Sequence, residues 1–372
     1  MLNFLRKNYY RLLYKSVEPG GKIQDCFRRA CFKLLNIYRN KDRAIKLQVT
    51  NKCNLRCKDC YCQFEKDSSL EKVEICNLLD QLKKLRYKNL SLHILGGEPL
   101  LRSDILEIIS YAKKQAKLKQ ILLFTNGTFI TNRLAREMEQ SGLDAAIVTL
   151  HSHREEIHDS MTQSNGSWDK AVSGIKFLIN SGIPTYSFTV FMSCNVGHLR
   201  EIENFVKHLG AKTLYLPYIK QKENDSLCVG NQYEFQRAIE WTFNKSNRHK
   251  RILLEMLLTR GKSCSAFVHH INIKSDGTVT PCPFLNLNLG NIKEEKIYSI
   301  LNRSYKNKEL LDFLSTPQEC KGCSLVNICG GGCKAFRYNI YHDAKNKDEN
   351  CAGPHKERIS LEELGSYMPY LL

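Results

Sequence analysis

Short apolar runs alternate with amphipathic segments between residues 44 and 216, and this alternation limits the fold more than any other feature of the chain. Parallel strands need long crossover connections, usually helices, so the alternation predicts parallel β/α units. Runs that are apolar throughout, such as Ile121-Leu122-Leu123-Phe124, suit strands covered on both faces. We therefore expect an α/β fold.

These segments predict six strands and five helices. The strands are expected at residues 44–49, 90–95, 121–125, 145–150, 185–192 and 213–216, and the helices at residues 70–85, 103–115, 132–140, 168–179 and 199–209. The alternation of strands and helices ends after residue 216. The later segments are a polar stretch at residues 219–232, one or two helices at 233–258, and a hairpin at 271–279 in which Asp276-Gly277 favours the turn.

The cellular setting decides how the sixteen cysteines are interpreted. Arg6, Lys7 and Arg11 interrupt the apolar residues of the N-terminus, so no secretion signal is expected, and no run reaches the roughly 18 apolar residues of a transmembrane helix. We expect a cytoplasmic protein, in which thiols stay reduced. Clustered cysteines then predict metal ligands or catalytic groups rather than disulfides.

Positive charge is concentrated near the N-terminus, where the first 43 residues hold eleven Lys or Arg and three Asp or Glu. Apolar side chains at helical spacing predict one face of a short basic helix that covers one end of the fold, or that lies on a membrane surface or a partner. They are Leu2, Leu5, Tyr9, Leu12 and Leu13. Lysine elsewhere is spread thinly along the chain, so we do not expect nucleic acid as a partner.

The cysteine run Cys53-Asn-Leu-Arg-Cys57-Lys-Asp-Cys60 directly follows the first predicted strand. Three thiolates on one loop can hold three irons of a four-iron cluster and leave the fourth iron open. A zinc site is the alternative, but zinc usually recruits a second C-x2-C pair nearby. The loop also lies where active sites of β/α folds collect. We place Cys62 outside the ligand set.

This run resembles the cluster loop of the radical S-adenosylmethionine (SAM) enzymes. The resemblance implies a partial (β/α)6 TIM-like barrel and a [4Fe-4S] cluster on Cys53, Cys57 and Cys60 whose open iron binds SAM. It implies reductive cleavage of SAM to a 5′-deoxyadenosyl radical that abstracts hydrogen from a substrate. It also implies an external one-electron donor such as a flavodoxin or ferredoxin.

Further matches fall at the ends of successive predicted strands, where parallel β/α folds bind ligands. Gly96-Gly97-Glu98-Pro99 resembles the family's GGEP motif, and Thr125-Asn126-Gly127 ends the third strand. Thr149 lies where the fourth strand of the family often carries a serine facing SAM. The expected SAM-binding residues are Gly96, Gly97, Glu98, Pro99, Thr125, Asn126, Thr149 and Asn195.

One position departs from the family, which usually has an aromatic residue just before the third cysteine. Asp59 stands there, and Tyr61 follows the cysteine instead. An anion at this place can alter the potential or the hydrogen bonding of a cluster. His151, His153 and His158 follow the fourth predicted strand, and we interpret them as a polar loop, with contact to the substrate as the alternative.

The C-terminal cysteines resemble the seven-cysteine pattern of the SPASM domain, which carries auxiliary iron-sulfur clusters. A pair of structural zinc sites is the alternative. The seven are Cys264, Cys282, Cys320, Cys323, Cys329, Cys333 and Cys351. The resemblance assigns four of them to a distal cluster, namely Cys320, Cys323, Cys329 and Cys351, and the other three to a proximal one. Family members with a complete proximal site have a further cysteine where this chain has Leu258.

Our hypothesis is therefore that the fourth ligand position of the proximal cluster is open or exchangeable. It would be filled by substrate, water, Cys228, His269 or His270. One or two auxiliary clusters are expected. The remaining cysteines lack ligand spacing and are interpreted as small buried hydrophobes. They are Cys26, Cys31, Cys62, Cys76, Cys194 and Cys228.

The resemblance divides the chain into a basic arm at residues 1–43, a radical SAM barrel with linking helices at 44–258, and a SPASM extension at 259–372. Sulfatase-maturing relatives carry an aspartate after the second SPASM cysteine, where this chain has Pro283. We favour oxidative modification of a peptide or protein. The alternatives are oxidation of a small molecule such as a tetrapyrrole side chain and, in a different class, a zinc protein that binds nucleic acid.

Overall fold

The computed structural model describes residues 42–62, 68–85, 87, 89–219, 225–230, 234, 237–238, 266–267, 270–304, 306–323, 331–335 and 338. Several predictions from the sequence lie outside the described residues. They are the N-terminal arm up to residue 41, nearly all of the helical segment at 233–258, and residues Cys264, His269, Cys329 and Cys351. Among the described residues, no helix is both long and apolar enough to cross a bilayer.

The strands form one sheet. They are β1 (Asp42–Gln48), β2 (Asn89–Leu95), β3 (Gln120–Thr125), β4 (Ala145–Thr149), β5 (Thr185–Phe191), β6 (Lys212–Pro217), β7 (His270–Ile273), β8 (Thr278–Thr280) and β9 (Gly290–Asn291). Their order is β6-β5-β4-β3-β2-β1-β7-β8-β9, and β1 to β6 are parallel. The predicted α/β fold with a partial parallel barrel is confirmed.

Among the described residues, six helices connect the parallel strands and two more follow β9. They are α1 (Lys72–Lys84), α2 (Ile105–Ser110, continued by a π turn at Tyr111–Gln115), α3 (Asn132–Ser141), α4 (Glu155–Thr162), α5 (Ser167–Asn180), α6 (Leu199–His208), α7 (Ile297–Ser304) and α8 (Lys308–Leu314). The sequence predicted α1, α2, α3, α5 and α6, and it missed α7, α8 and, within the barrel, α4. The residues of α4 are mostly polar, so their pattern resembles that of a loop.

The core lies between the sheet and the helices. Every second residue of β2 is buried there, namely Leu90, Leu92 and Ile94, and α1 buries Ile75, Leu78, Leu79 and Leu82 against the sheet. Burying each side chain of this size contributes roughly 1.5–3 kcal/mol. Because strand side chains alternate between faces, the other face of β1 to β6 lines the lumen of the partial barrel.

The C-terminal hairpin continues the barrel sheet, which the sequence did not predict. Strand β7 pairs in parallel with β1, with Ile45 opposite Ile271, and β8 pairs antiparallel with β7. The predicted hairpin is confirmed, and Gly277 at its turn has a φ of 93°. No local sequence pattern predicts a pairing between strands so far apart in the chain. The sheet therefore joins the barrel directly to the segment that carries Cys282.

Candidate active site

The three thiols of the cysteine loop influence one another. Burial raises the pKa of Cys57, and the nearby Asp59, Cys60 and Cys53 raise it further. Burial likewise raises the pKa of Cys53, with Cys60 adding to the effect. The three thiols stand within eight residues of one loop. Metals bind the thiolate form, so this donor set fits a metal cluster that takes up the charge of all three.

Helix α4, the barrel helix missed from the sequence, holds this loop in place. The backbone N–H of Lys58 donates to the carbonyl of Met161 at 2.9 Å, and that of Arg56 donates to the carbonyl of Thr162 at 3.3 Å. The last carbonyls of a helix have no partner within the helix. The cysteine loop supplies these partners, so the end of α4 fixes where the loop lies.

The glycines of the GGEP motif allow β2 to end directly against the chain after β1. The N–H of Gly97 donates to the Thr50 carbonyl at 2.8 Å, and the N–H of Glu98 donates to the Lys52 carbonyl at 2.7 Å. A Cβ atom on Gly97 would lie 2.2 Å from the Lys52 oxygen, and one on Gly96 would lie 2.4 Å from the Thr50 oxygen. Only glycine fits at these two positions.

Glu98 is fully buried and organises the ends of β2 and β3. Its Oε1 accepts hydrogen bonds from the N–H of Leu100 at 3.0 Å and from the Thr125 hydroxyl at 2.8 Å, and its Oε2 accepts one from the N–H of Asn126 at 2.7 Å. Burial raises the pKa of Glu98 to about 7, although these hydrogen bonds oppose the shift. These hydrogen bonds to the Glu98 carboxylate all come from the polypeptide. Pro99 begins the short 3-10 turn that follows Glu98.

Asn126 connects the end of β3 to the cysteine loop. Its Nδ2 donates to Asn54 Oδ1 at 2.8 Å and lies 3.9 Å from the sulfur of Cys53. Its Oδ1 accepts from the N–H and the hydroxyl of Thr128, at 2.9 Å and 2.7 Å. The structure thus brings two predicted SAM-binding motifs and the cysteine loop together at the carboxyl ends of β1, β2 and β3.

Asn195, predicted to bind SAM, is fully buried after β5. Its Nδ2 donates to the carbonyls of His151 at 2.8 Å and Val190 at 2.9 Å, and its Oδ1 accepts from the N–H of Met192 at 2.7 Å. The amide therefore ties the chain after β4 to the end of β5. Thr149 ends β4 and is half-buried.

The histidines after β4 correct the polar-loop interpretation. His151 and His158 are buried, with ring centroids 5.4 Å apart, and His158 lies on α4. Burial lowers the pKa of His158 to about 3. His151 Nε2 lies 3.8 Å from Asp59 Oδ1, and ligand atoms of Cys57, Asp59 and His151 all lie within 4.8 Å of one another. Sequence reasoning missed this juxtaposition.

The lumen face of the barrel is mainly apolar and aromatic. Phe124 lies between His93 and Phe188, with ring centroids 5.7 Å and 6.2 Å away. Burial lowers the pKa of His93 to about 4, and the Lys46 ammonium adds to the effect. The alternation of side chains along β1, β2, β3 and β5 is the signal that predicts these neighbours.

The auxiliary cysteine segment contacts the cysteine loop. The Tyr61 ring packs edge-on against Phe284 with centroids 5.2 Å apart. A buried chain of hydrogen bonds runs from Gln48 of β1 through Asn272 and Thr280 to the carbonyl of Cys282, with donor–acceptor distances of 3.5, 3.0 and 3.0 Å. These contacts join the two cysteine regions.

The other auxiliary cysteines are described only in part. Cys320 is buried, and the N–H of Cys323 donates to its carbonyl at 3.2 Å in one turn, while Cys333 is half-buried. Cys228, a hypothetical proximal ligand, packs against a small apolar cluster of Met161, Met192 and Tyr218. His270, another candidate, begins β7. The auxiliary ligand set stays a prediction.

Comparison with known families decides the class. The model of the radical SAM superfamily matches residues 47–206, which hold the cysteine loop and the strand-end motifs. The chain belongs to the radical SAM superfamily. The SPASM iron-sulfur cluster-binding domain matches residues 264–324. The chain is therefore a radical SAM/SPASM enzyme that uses SAM and iron-sulfur clusters.

Relatives and solved structures extend this likeness over most of the chain. An AdoMet-dependent heme synthase of Oleidesulfovibrio alaskensis is 24% identical over 80% of this chain and 84% of its own length. A probable GTP 3′,8-cyclase of Methanocaldococcus jannaschii is 31% identical over 66% and 87%. A structure of anSMEcpe with bound AdoMet has a TM-score of 0.69 at 19% identity, covering 82% of this chain and 93% of that one.

A structure of SuiB from Streptococcus suis, bound to its precursor peptide SuiA, is similar over 94% of this chain and 88% of that one, with a TM-score of 0.67 and 16% identity. These structural likenesses agree in fold. The named activities of these relatives differ, so the substrate of this chain is a separate question.

Proposed function

We propose that Cys53, Cys57 and Cys60 hold the [4Fe-4S] cluster that binds SAM, and that the radical is generated at the carboxyl ends of β1 to β3. When bound, the cluster supplies the electron that cleaves SAM. The observation that carries this proposal is the convergence of three thiols, the GGEP backbone and Asn126 at one edge of the sheet. Asn54 and α4 keep the loop there.

Within this proposal the strand-end residues have two roles. Gly96, Gly97 and Pro99 shape the backbone that faces SAM, and Thr149 faces it from β4. Glu98, Thr125 and Asn195 act by positioning, because their polar groups already bond the chain. The auxiliary cysteines would hold one or two further iron-sulfur clusters, which would supply an electron acceptor for oxidation of the substrate.

The substrate we propose is a peptide or protein, which the enzyme modifies oxidatively. Its support is the likeness over 94% of the chain to a structure that holds a precursor peptide, together with a lumen that suits an apolar side chain. Lys46 is the only lysine or arginine that the described β1, β2, β3, β4 and β5 carry on the lumen face, and β6 adds Lys212 at its exposed start. A nucleoside triphosphate needs several cations, so GTP fits this lumen poorly.

A tetrapyrrole side chain is the second candidate. The heme synthase of O. alaskensis is a relative over 80% of this chain, and the aromatic lumen around Phe124 and Phe188 also suits a large planar molecule. This candidate shares the proposed radical chemistry and differs only in what enters the lumen.

The test is anaerobic reconstitution with iron, sulfide, SAM and a one-electron donor, followed by mass spectrometry. One sample contains the small peptide encoded nearest to the gene, and a second contains a tetrapyrrole with propionate side chains. We expect the peptide to change mass by loss of two hydrogens or of carbon dioxide, or to take up solvent deuterium. A modified tetrapyrrole with an unchanged peptide would replace the first candidate by the second.

A further inference from the structure

The imidazole of His151 is a buried polar group that the chain leaves unsatisfied. Its residue is 1% exposed, and neither ring nitrogen has a hydrogen-bond partner among the described residues. Buried polar groups in native proteins are nearly always hydrogen-bonded, so an exception needs an explanation. A partner that is not part of the polypeptide is the simplest one.

The backbone holds this ring in one place. The Asn195 side chain donates to the His151 carbonyl at 2.8 Å, and the His151 N–H donates to Nδ1 of His158 at 3.2 Å. Since Asn195 and His158 are themselves buried, these bonds fix the backbone of His151, and its ring, being buried, is surrounded by protein. The position of the imidazole is therefore built into the fold.

The ring faces the middle of the cysteine loop. Its Nε2 lies 3.8 Å from the Asp59 carboxylate, which is longer than a hydrogen bond, and a ring nitrogen lies within 4.8 Å of Cys57 Sγ. Asp59 lies between Cys57 and Cys60, directly before Cys60. An anion and an N–H donor thus stand together beside one predicted cluster ligand.

We propose that His151 donates a ring N–H to the sulfur of Cys57 when the SAM-binding cluster is in place, and that Asp59 holds the ring and adds negative charge beside the cluster. His151 is a positioning residue in this account, because it acts on the cluster through Cys57. The inference rests on the proposed assignment of Cys57 as a cluster ligand.

The two side chains have opposite effects on the reduction potential of the cluster. Reduction adds an electron, so a hydrogen bond to a ligand sulfur stabilises the reduced form and raises the potential. A carboxylate nearby repels the added electron and lowers the potential. A residue that merely fills space would produce neither shift. The signs of the two shifts are therefore the test.

The experiment is a redox titration of the reconstituted full-length enzyme, monitored by electron paramagnetic resonance. The signal of this cluster is the one that disappears in the Cys57→Ala protein. We expect His151→Phe to decrease the ratio of reduced to oxidised cluster about tenfold at a fixed potential, which equals about 59 mV for a one-electron couple. We expect Asp59→Asn, which keeps an acceptor for the ring, to increase the ratio.

Matched controls separate this effect from general disturbance. His153→Phe is the same substitution two residues along the chain, where the ring packs against His198, and Asp169→Asn removes the same charge from an exposed site on α5. Both should titrate as the wild type. His151→Gln keeps an N–H donor, and its ratio should return most of the way towards the wild-type value.

Three results would overturn the inference. Shifts of the same sign in His151→Phe and Asp59→Asn would contradict it, and so would shifts no larger than those of the controls. Loss of a whole cluster's iron from His151→Gln would show that His151 is a ligand and not a donor. A wild-type enzyme that lacks any signal dependent on Cys57 would instead overturn the proposed cluster assignment, and the inference with it.

Discussion

The two sides of the barrel mouth treat their buried polar side chains differently. On the β2–β3 side, the Glu98 carboxylate accepts three hydrogen bonds of 2.7 to 3.0 Å from the chain. On the β4–β5 side, the His151 ring is almost as buried and accepts or donates none among the described residues. An unsatisfied buried group costs about 1–3 kcal/mol. We call the β2–β3 side complete because the chain alone satisfies Glu98, whereas on the β4–β5 side the chain satisfies the buried Asn195 but not the His151 ring.

The difference separates residues that build the site from residues that meet the cofactor. Glu98 fixes the loops that carry the GGEP backbone and Asn126, and its bonds need no ligand. His151 is held just as firmly through its backbone, yet its ring points at Cys57 and Asp59. Parallel β/α folds bind ligands at this edge. The unsatisfied His151 ring therefore indicates a place where a bound group supplies the missing hydrogen-bond partner.

The largest effect is expected from Gly97→Ala on the complete side. The new Cβ would lie 2.2 Å from the Lys52 carbonyl oxygen, so the backbone between β1 and the cysteine loop has to move. We expect unfolding free energy to fall by about 3 kcal/mol. A displacement of about 1 Å at a reacting site costs about 100-fold in rate, and SAM cleavage measured by chromatography should fall accordingly.

Gly197→Ala is the matched control, because a Cβ atom there meets nothing within 4 Å. It should leave both stability and SAM cleavage close to wild type. If Gly97→Ala were as active and as stable as Gly197→Ala, the close approach of β2 to the cysteine loop would not matter for the site.

The next effect is expected from Glu98→Gln. The amide nitrogen of Gln cannot accept the hydrogen bond that Asn126 N–H now donates to Oε2. We expect a loss of about 1–3 kcal/mol in unfolding free energy, measured by chemical denaturation at pH 4.5, where the contribution of Glu98 is greatest. Glu139→Gln, on the exposed face of α3, should change stability little. Equal losses in the two variants would contradict the special role of Glu98.

The same variant tests the pH dependence of the complete side. Folding raises the pKa of Glu98 from its ordinary 4.5 to about 7 through burial, so the native chain binds more protons than the unfolded chain between these values. The contribution of this group is fully present below pH 4.5 and is lost as pH rises through about 7. The stability advantage of wild type over Glu98→Gln should shrink across that window, by up to about 1.4 kcal/mol per pH unit. A constant advantage would contradict the shift.

The smallest effect, with the opposite sign, is expected from His151→Leu in protein without clusters. Replacing an unsatisfied buried group by an apolar one of similar size is neutral or stabilising, so unfolding free energy should rise by about 0–1 kcal/mol. A loss like that of Glu98→Gln would mean that the ring is already satisfied, and the contrast between the two sides would disappear.

Local patterns were enough to predict the strands and the motifs at their ends. Apolar runs such as Ile121-Leu122-Leu123-Phe124 mark buried parallel strands, and the ends of β1 to β6 lie within two residues of the predicted ends. The cysteine loop, GGEP and TNG follow these strands, and parallel strands bring their carboxyl ends to one edge. The convergence of Cys53, Glu98 and Asn126 could therefore be predicted.

The remaining features depend on contacts that no local pattern shows. Helix α4 was missed because its polar residues resemble a loop, although two of its backbone carbonyls hold the cysteine loop. The pairing of β7 with β1 joins segments more than 200 residues apart. The proximity of His151 to Asp59 depends on two contacts at the barrel mouth. Helix α4 anchors the cysteine loop that carries Asp59, and the Asn195 side chain donates a hydrogen bond to the His151 carbonyl.

Formation of 5′-deoxyadenosine tests the central claim most directly. The anaerobically reconstituted wild type should cleave SAM with a reductant, whereas Cys57→Ala should form no product above background and should keep its auxiliary iron. Cys76→Ala, which removes a thiol on α1, should behave as the wild type. Product formation by Cys57→Ala at the wild-type rate, or a colourless wild-type protein loaded with zinc, would contradict the account.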